Sequence, residues 1–329
     1  MSYICGIETS GKYYSVAIFD MGTETVVASY IATSINSQAA EIAVCLQNLL
    51  RNIGLSSPRE FTYIAVAVGP GSFTGTRIGL AFVHGLLAGI ESYNLGHSTS
   101  STTLLAVNNM QLLAHKFEHN IDKLTKKDDA VGNNTDDVHR TILLLIPAHA
   151  GRFYMQLWHK HKDNAISSNI GFFQPISEIK IELFDPYNVS NAEILTLLEE
   201  MAKTQSSLYM QDIVANYRAY GDIALVIAED KSGDVISSGA TSGGAKEGGD
   251  ETQVEPQELT EGGAAAGDLG IADAAGASNI KLILCPINAQ DLIKFASFII
   301  NKPDLLTIQR ELPPYPLYIG DAFANLVIR

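Results

Sequence analysis

The sequence predicts an α/β fold made of two tandem subdomains. Three observations carry that reading. A succession of three strands, a helix and a further strand occurs twice along the chain. The strands that follow the helices are near-continuous apolar runs, the kind covered on both faces in α/β architectures. The length of 329 residues suits about two domains at ~150 residues each.

YICGIET (3–9) and YSVAIFD (14–20) are short apolar runs joined by SGKY, which predicts a hairpin, and TVVASYIAT (25–33) reads as a third, antiparallel strand. A helix follows over about 37–53, with Ile42, Leu46, Leu49, Leu50 and Ile53 at three- and four-residue spacing and Gly54 placed to end it. TYIAVAVG (62–69) is a buried strand, and a second helix over about 75–90 aligns Ile78, Phe82, Leu86 and Ile90. The pattern then restarts. TILLLIPA (141–148), RFYMQLWHK (152–160) and GFFQPI (171–176) are three strands. Ser190 and Glu193 form a candidate capping box for a helix starting near Asn191, with Val189 and Ile194 as its staple. IALVIAE (223–229) and KLILC (281–285) are buried strands, and Leu292, Phe295, Ala296 and Ile299 mark a last helix over about 289–300. The halves repeat in topology, not in residues.

Residues 1–110 are therefore expected to form the first subdomain and 111–329 the second. Two polar stretches interrupt the latter. Residues 116–139, containing KLTKKDD and GNNTDD, read as a loop after a helix. Residues 230–277 hold 11 Gly, 10 Asp or Glu and 2 Lys. Such a segment buries too little apolar surface to offset its ordering entropy and reads as a flexible insertion, the alternative being a loop with short helical turns near 264–275. The carboxy-terminal segment 310–329 is a candidate to pack back on the first subdomain.

The net charge of -14 argues against a broad basic surface for nucleic acid. That argument weakens once the insertion is set aside, because it carries -8 and leaves 281 residues with -6. No basic, aromatic-rich platform stands out for autonomous RNA binding. Cys5, Cys45 and Cys285 are too few and too scattered for a disulfide framework or a CxxC metal site. The first residues lack a basic region followed by a long apolar run, and no segment approaches 18 uninterrupted apolar residues. The expectation is a soluble, cytoplasmic protein.

The sharpest local feature is VAVGPGSFTGTRIGLAFVHGLLAG (66–89). A buried strand ends in Gly69, Pro70 and Gly71, a tight reversal. Ser72, Phe73 and Thr74 then lead into a helix whose exposed amides Ser72 and Thr74 can cap. Gly75, Gly79, Gly85 and Gly89 each cost a helix about 0.8–1 kcal/mol against alanine, a cost usually offset by close backbone approach. Such a turn either cradles a phosphate on free amides or packs two elements together. It is neither GxGxxG nor GxxxxGK[ST], so a dinucleotide fold or P-loop is not supported. Arg77 stands in the first helical turn, against the dipole, and is a candidate to anchor the preceding turn or to meet a carboxylate.

This GPGSFTG run, continued as TRIG, resembles the motif of the bacterial TsaB (YeaZ) family. GIETSGKYYSVAI (6–18), LGHSTSSTTLL (95–105), PAHAGRFYMQLW (147–158) and PLYIGD (316–321) resemble further family segments in the same order. The resemblance implies an actin-like (ASKHA), RNase H-like fold with a degenerate nucleotide site. It implies a non-catalytic role in making N6-threonylcarbamoyladenosine at position 37 of tRNAs that read codons starting with A. The implied partners are a TsaD-type catalytic subunit and a TsaE-type ATPase, with homodimers when the partner is absent and tRNA met only through the complex. The implied contact surface is the pair of first-subdomain helices, with Ile42, Leu46, Leu49, Phe82, Gly85 and Leu86 as interface candidates. No cofactor is expected, ATP or ADP at the partner interface being the one nucleotide considered.

Rival chemistries are weakly supplied. Glu8 and Asp20, at the ends of the first two strands, would serve an actin-like phosphotransferase or hydrolase; the ordinary reading of Glu8 is a turn or solvent contact. His115 and His119 form an HxxxH pair that would suit a metallopeptidase-like site, against the simpler reading as surface histidines. Ser10, Ser72 and Ser101 lack a GxSxG elbow and a partner histidine and acid. No catalytic, cofactor-binding or metal residue is assigned.

Overall fold

The computed structural model describes residues 2–34, 37–94, 101–125, 141–148, 152–160, 173–175, 180–183, 189–204, 211, 214–215, 217–218, 223–228, 270–272 and 280–302. Two mixed sheets form its frame. The first contains β1 (Tyr3–Glu8), β2 (Ser15–Asp20), β3 (Thr25–Ile31), β4 (Phe61–Gly69) and β5 (Thr103–Asn108), in the order β3-β2-β1-β4-β5. β1, β2 and β3 form the predicted antiparallel meander, and β4 and β5 run parallel to β1. The second sheet contains β6 (Thr141–Pro147), β7 (Arg152–Lys160), β8 (Phe173–Pro175), β9 (Lys180–Leu183), β10 (Ile223–Ile227), β11 (Gly270–Ala272) and β12 (Ile280–Leu284). β6 and β7 form the second hairpin, and β10 and β12 extend the sheet in parallel from β6. The duplicated topology is thus present in both halves.

Helices fill the layers around and between the sheets. α1 (Gln38–Asn52) and α2 (Phe73–Asn94) cover the outer face of the first sheet. α4 (Asn191–Thr204) covers the outer face of the second, through Ile194, Leu197, Leu198 and Met201. α3 (Asn109–Thr125) packs Met110, Leu113, Ala114 and Phe117 on β6 and β10 of the second sheet. α5 (Ala289–Ile300) packs Leu292, Ile293, Phe295, Ala296 and Ile299 on β1, β2, β4 and β5 of the first. The last helix therefore lies on the sheet that begins the chain, although its position in sequence suggests the second subdomain. Its apolar stripe specified a buried face without specifying which sheet would receive it. Asn288 caps α5 by accepting from the amides of Gln290 and Asp291, and the Ala289 amide donates to Ser15 Oγ at 2.8 Å.

Several expectations on element boundaries are sharpened. α2 extends from 73 to 94, beyond the expected 75–90. The stretch expected to be loop from residue 116 is helical through Thr125, because Phe117 still belongs to the apolar stripe. Residues 270–272 of the expected insertion form a strand antiparallel to β12, not a helical turn. The rest of 230–277, residues 126–139 and the segment 310–329 lie outside the described residues. Ser190 and Glu193 form the predicted capping box: the Ser190 amide donates to Glu193 Oε2 at 2.8 Å, and the Glu193 amide to Ser190 Oγ at 3.3 Å.

Candidate functional site: the glycine-rich turn and the outer face of α1 and α2

β4 ends at Gly69, whose φ of 95° suits glycine, and the Gly69–Pro70 peptide is cis. The turn then meets the loop that follows β1. The Ser72 amide donates to the Ser10 carbonyl at 2.7 Å, and Thr9 Oγ1 donates to the Gly75 carbonyl at 2.7 Å. Ser72 Oγ accepts from the Gly75 amide at 3.2 Å, capping α2 as its sequence position predicts. A Cβ on Gly75 would stand 1.9 Å from the Thr9 carbonyl oxygen, and one on Gly79 would stand 2.3 Å from Thr9 Oγ1. These two glycines let the start of α2 lie directly against residue 9. With the Ser72 and Gly75 amides already engaged, the geometry favours packing over a phosphate cradle. Arg77 places its guanidinium 3.7 Å from the centroid of the Phe73 ring, a cation–π contact with the first residue of its own helix.

Beneath the turn lies a buried polar group. Glu8 is 0% exposed, so of its two ordinary readings the solvent contact is corrected and the turn contact holds. Its Oε1 accepts from the Ser10 amide at 2.7 Å and from Ser10 Oγ. Asn109, the first residue of α3, donates from Nδ2 to Ser10 Oγ at 2.5 Å and to the Pro70 carbonyl at 2.9 Å. Burial pushes the Glu8 carboxyl up to about 7, against the opposing pull of its bonds from Ser10. Asp20 is not part of this group. It pairs with Tyr3 at the opposite end of the hairpin, whereas Glu8 pairs with Ser15. Asp20 Oδ1 accepts from the Gly22 amide at 2.8 Å. The two carboxylates therefore cannot serve one phosphate.

His115 is likewise not a surface residue. It is buried between α3 and α5, its ring 4.8 Å from Phe295 and 5.0 Å from Phe298. Next to it, Lys116 Nζ pairs with Asp291 Oδ2 at 2.9 Å and donates to the Pro286 carbonyl. The His119 side chain lies outside the described residues. Among the described residues, no three or more His, Cys, Asp or Glu side chains are grouped so as to hold a metal ion.

The interface candidates divide. Ile42, Leu46 and Leu49 are 2%, 3% and 4% exposed and belong to the core under α1. They are not available to a partner, because the stripe read from their spacing is the stripe that faces the sheet. Phe82 and Leu86 are partly buried against the same core. Gly85 is exposed, with nothing within 4 Å of an added Cβ, and Gly89 is the same. The outer face of α2 thus presents Ala81, Gly85, Ala88 and Gly89, with His84 among them. α1 presents Ala40 and Val44, the latter 56% exposed. Sequence reasoning missed Ala40, Val44, Ala81 and Ala88, whose only signal is small residues recurring at three and four. α2 is long and apolar enough by composition to cross a membrane, with a mean hydropathy of 1.3. Here it lies on the first sheet through Leu80, Val83 and Ile90.

The family model described as TsaD, tRNA N6-adenosine threonylcarbamoyltransferase, matches residues 28–177. The TsaB protein of Escherichia coli K12, a tRNA threonylcarbamoyladenosine biosynthesis protein, is 33% identical over 99 residues, which are 30% of this chain and 41% of that relative. The match thus spans less than half of the relative's length. Among solved structures, YeaZ from Pseudomonas aeruginosa aligns with a TM-score of 0.48 at 15% identity, covering 97% of this chain and 100% of that one. A protein with similarity to peptidase YeaZ from Pseudomonas aeruginosa aligns with a TM-score of 0.49 at 16% identity over the same shares. With its GPGSFTG turn in place between β4 and α2, the chain resembles the YeaZ/TsaB family of tRNA threonylcarbamoyladenosine biosynthesis proteins.

Proposed function

We propose that this chain is a non-catalytic subunit in N6-threonylcarbamoylation of adenosine 37 in tRNAs that read codons starting with A, and that it binds and supports a TsaD-type catalytic subunit. The observation that carries this reading is the outer face of α2: an apolar helix of 22 residues leaves Ala81, Gly85, Ala88 and Gly89 exposed beside Val44 of α1. Small residues let a partner helix approach closely. The sequence likeness to TsaB supports the choice of partner. In this reading each sheet is an RNase H-like half of an actin-like frame, and the nucleotide site between the halves is degenerate. The same face pairs two copies when the catalytic subunit is absent. A TsaE-type ATPase joins the complex, and tRNA is met only through it.

Co-purification with the TsaD-type subunit, together with measurement of the modified nucleoside after depletion, tests the proposal. The expected outcome is a stable complex and loss of the modification. Gly85→Arg, which fills the open face without touching the core, is expected to weaken the complex about 100-fold while leaving the circular dichroism spectrum unchanged. An unmodified affinity for Gly85→Arg would remove α2 from the interface.

A further inference from the structure

The buried group under the glycine-rich turn contains two oxygens without a hydrogen bond of ordinary geometry among the described residues. Glu8, Ser10 and Asn109 are 0%, 5% and 1% exposed. Ser10 Oγ joins them, receiving a hydrogen bond from Asn109 Nδ2 and donating one to Glu8 Oε1. The second bond from Nδ2 goes to the Pro70 carbonyl, which can only accept, so the orientation of the Asn109 amide is fixed. Among the described residues, this leaves Glu8 Oε2 and Asn109 Oδ1 buried without a hydrogen-bond partner. With Glu8 ionised, a fully buried charge is met only by the Ser10 groups and the weak pull of the Gly11 amide, which is costly.

We propose that Glu8 is held as a neutral carboxylic acid with its proton on Oε2, making the junction of β1, the glycine-rich turn and α3 a proton-dependent latch. The charged surroundings agree. From α5, Asp291 adds to the preference for the neutral form, and Lys116 of α3 is committed to Asp291. The residue opposite Glu8 on β2 is Ser15. In the loop after β1, Lys12 lies over the Tyr13 ring, and Arg77 of α2 lies over Phe73. The Gly11 amide exerts a weak opposing pull without a bond of ordinary geometry to Oε2. Burial pushing the carboxyl up to about 7 is consistent with the latch.

The sign follows from linkage. The folded value lies above the ordinary glutamate value of 4.5, so the latch contributes fully below that value and its contribution is lost as pH rises through about 7. The experiment is a carbon-13 titration of the full chain labelled at glutamate carboxyls, with Glu8 assigned through its own backbone. The resonance is expected to report a carboxylic acid at about pH 6 and to move through a midpoint near 7. Denaturant titration is expected to show the folding equilibrium constant falling on the order of 100-fold between about pH 5 and pH 8, a dependence removed in Glu8→Gln. A Glu8 resonance already ionised at about pH 6 overturns the proposal. So does one that shifts on adding magnesium at neutral pH, since a cation would then be what the oxygens take. The wild-type resonance decides the matter even if Glu8→Gln does not fold.

Discussion

The two halves share one frame but present opposite outer faces. In the second half, α4 shows water Asn191, Glu193, Thr196, Glu200 and Lys203, and Glu199 pairs with Arg218 at 2.5 Å. In the first half, α2 shows Ala81, His84, Gly85, Ala88 and Gly89. Both helices bury one stripe against their sheet, through Ile194, Leu197 and Leu198 in α4 and Leu80, Val83 and Ile90 in α2. The difference lies in the residues the fold does not need. α4 shows water a charged and polar face, whereas α2 leaves small residues exposed around His84, between Arg77 and Glu91.

The largest expected effect falls on what the halves have in common. Lys116 and Asp291 join α3 to α5 in the layer between the sheets. Lys116→Ala leaves a largely buried carboxylate unpaired and is expected to cost about 3–5 kcal/mol, lowering the stability of both halves in one denaturant transition. If two transitions separate instead, the halves are less coupled than their shared layer implies. The next effect falls within α2 itself. Gly75→Ala drives a methyl into the Thr9 carbonyl and is expected to cost about 3 kcal/mol, read as a lower midpoint in urea.

On the solvated side, Ser190→Ala removes the cap of α4 and is expected to cost about 1 kcal/mol with no change in partner affinity. The smallest effect has the opposite sign. Gly85→Ala meets open space and is expected to stabilise the free chain by about 0.8 kcal/mol, while its methyl weakens the complex. A stabilising change that costs affinity would show that the glycine is kept for an approach made by another molecule. Equal affinity would assign it to no such approach.

Much of the frame was legible because it is written in spacing. The hairpins, the parallel strands β4, β10 and β12, the Ser190–Glu193 cap and the Ser72 cap follow from short-range pattern and side-chain chemistry. The site was less legible. Ile42, Leu46 and Leu49 stood out for a partner surface because they are large and periodic, and for the same reason they fill the core. The exposed face consists of residues with little hydropathy signal, so Ala81 and Ala88 were silent. His115 sits in a charged sequence, AHKFEH, and its burial depends on Phe295 and Phe298, about 180 residues away along the chain in a helix whose destination no local pattern records. Glu8 looked like a strand end open to water until the turn from β4 and the start of α3 were seen to close over it.

The return of α5 to the first sheet also sets a schedule for the ribosome. Ser15 and Ala289, joined by one hydrogen bond, are 274 residues apart. At about 5–20 residues per second, roughly 14–55 s separate the synthesis of these two partners. Throughout that interval the inner face of the first sheet, including Ile4, Ala17, Ala65 and Leu105, has been made without the helix that covers it. Until α5 is made, the nascent amino-terminal half therefore carries an apolar face that waits for its cover.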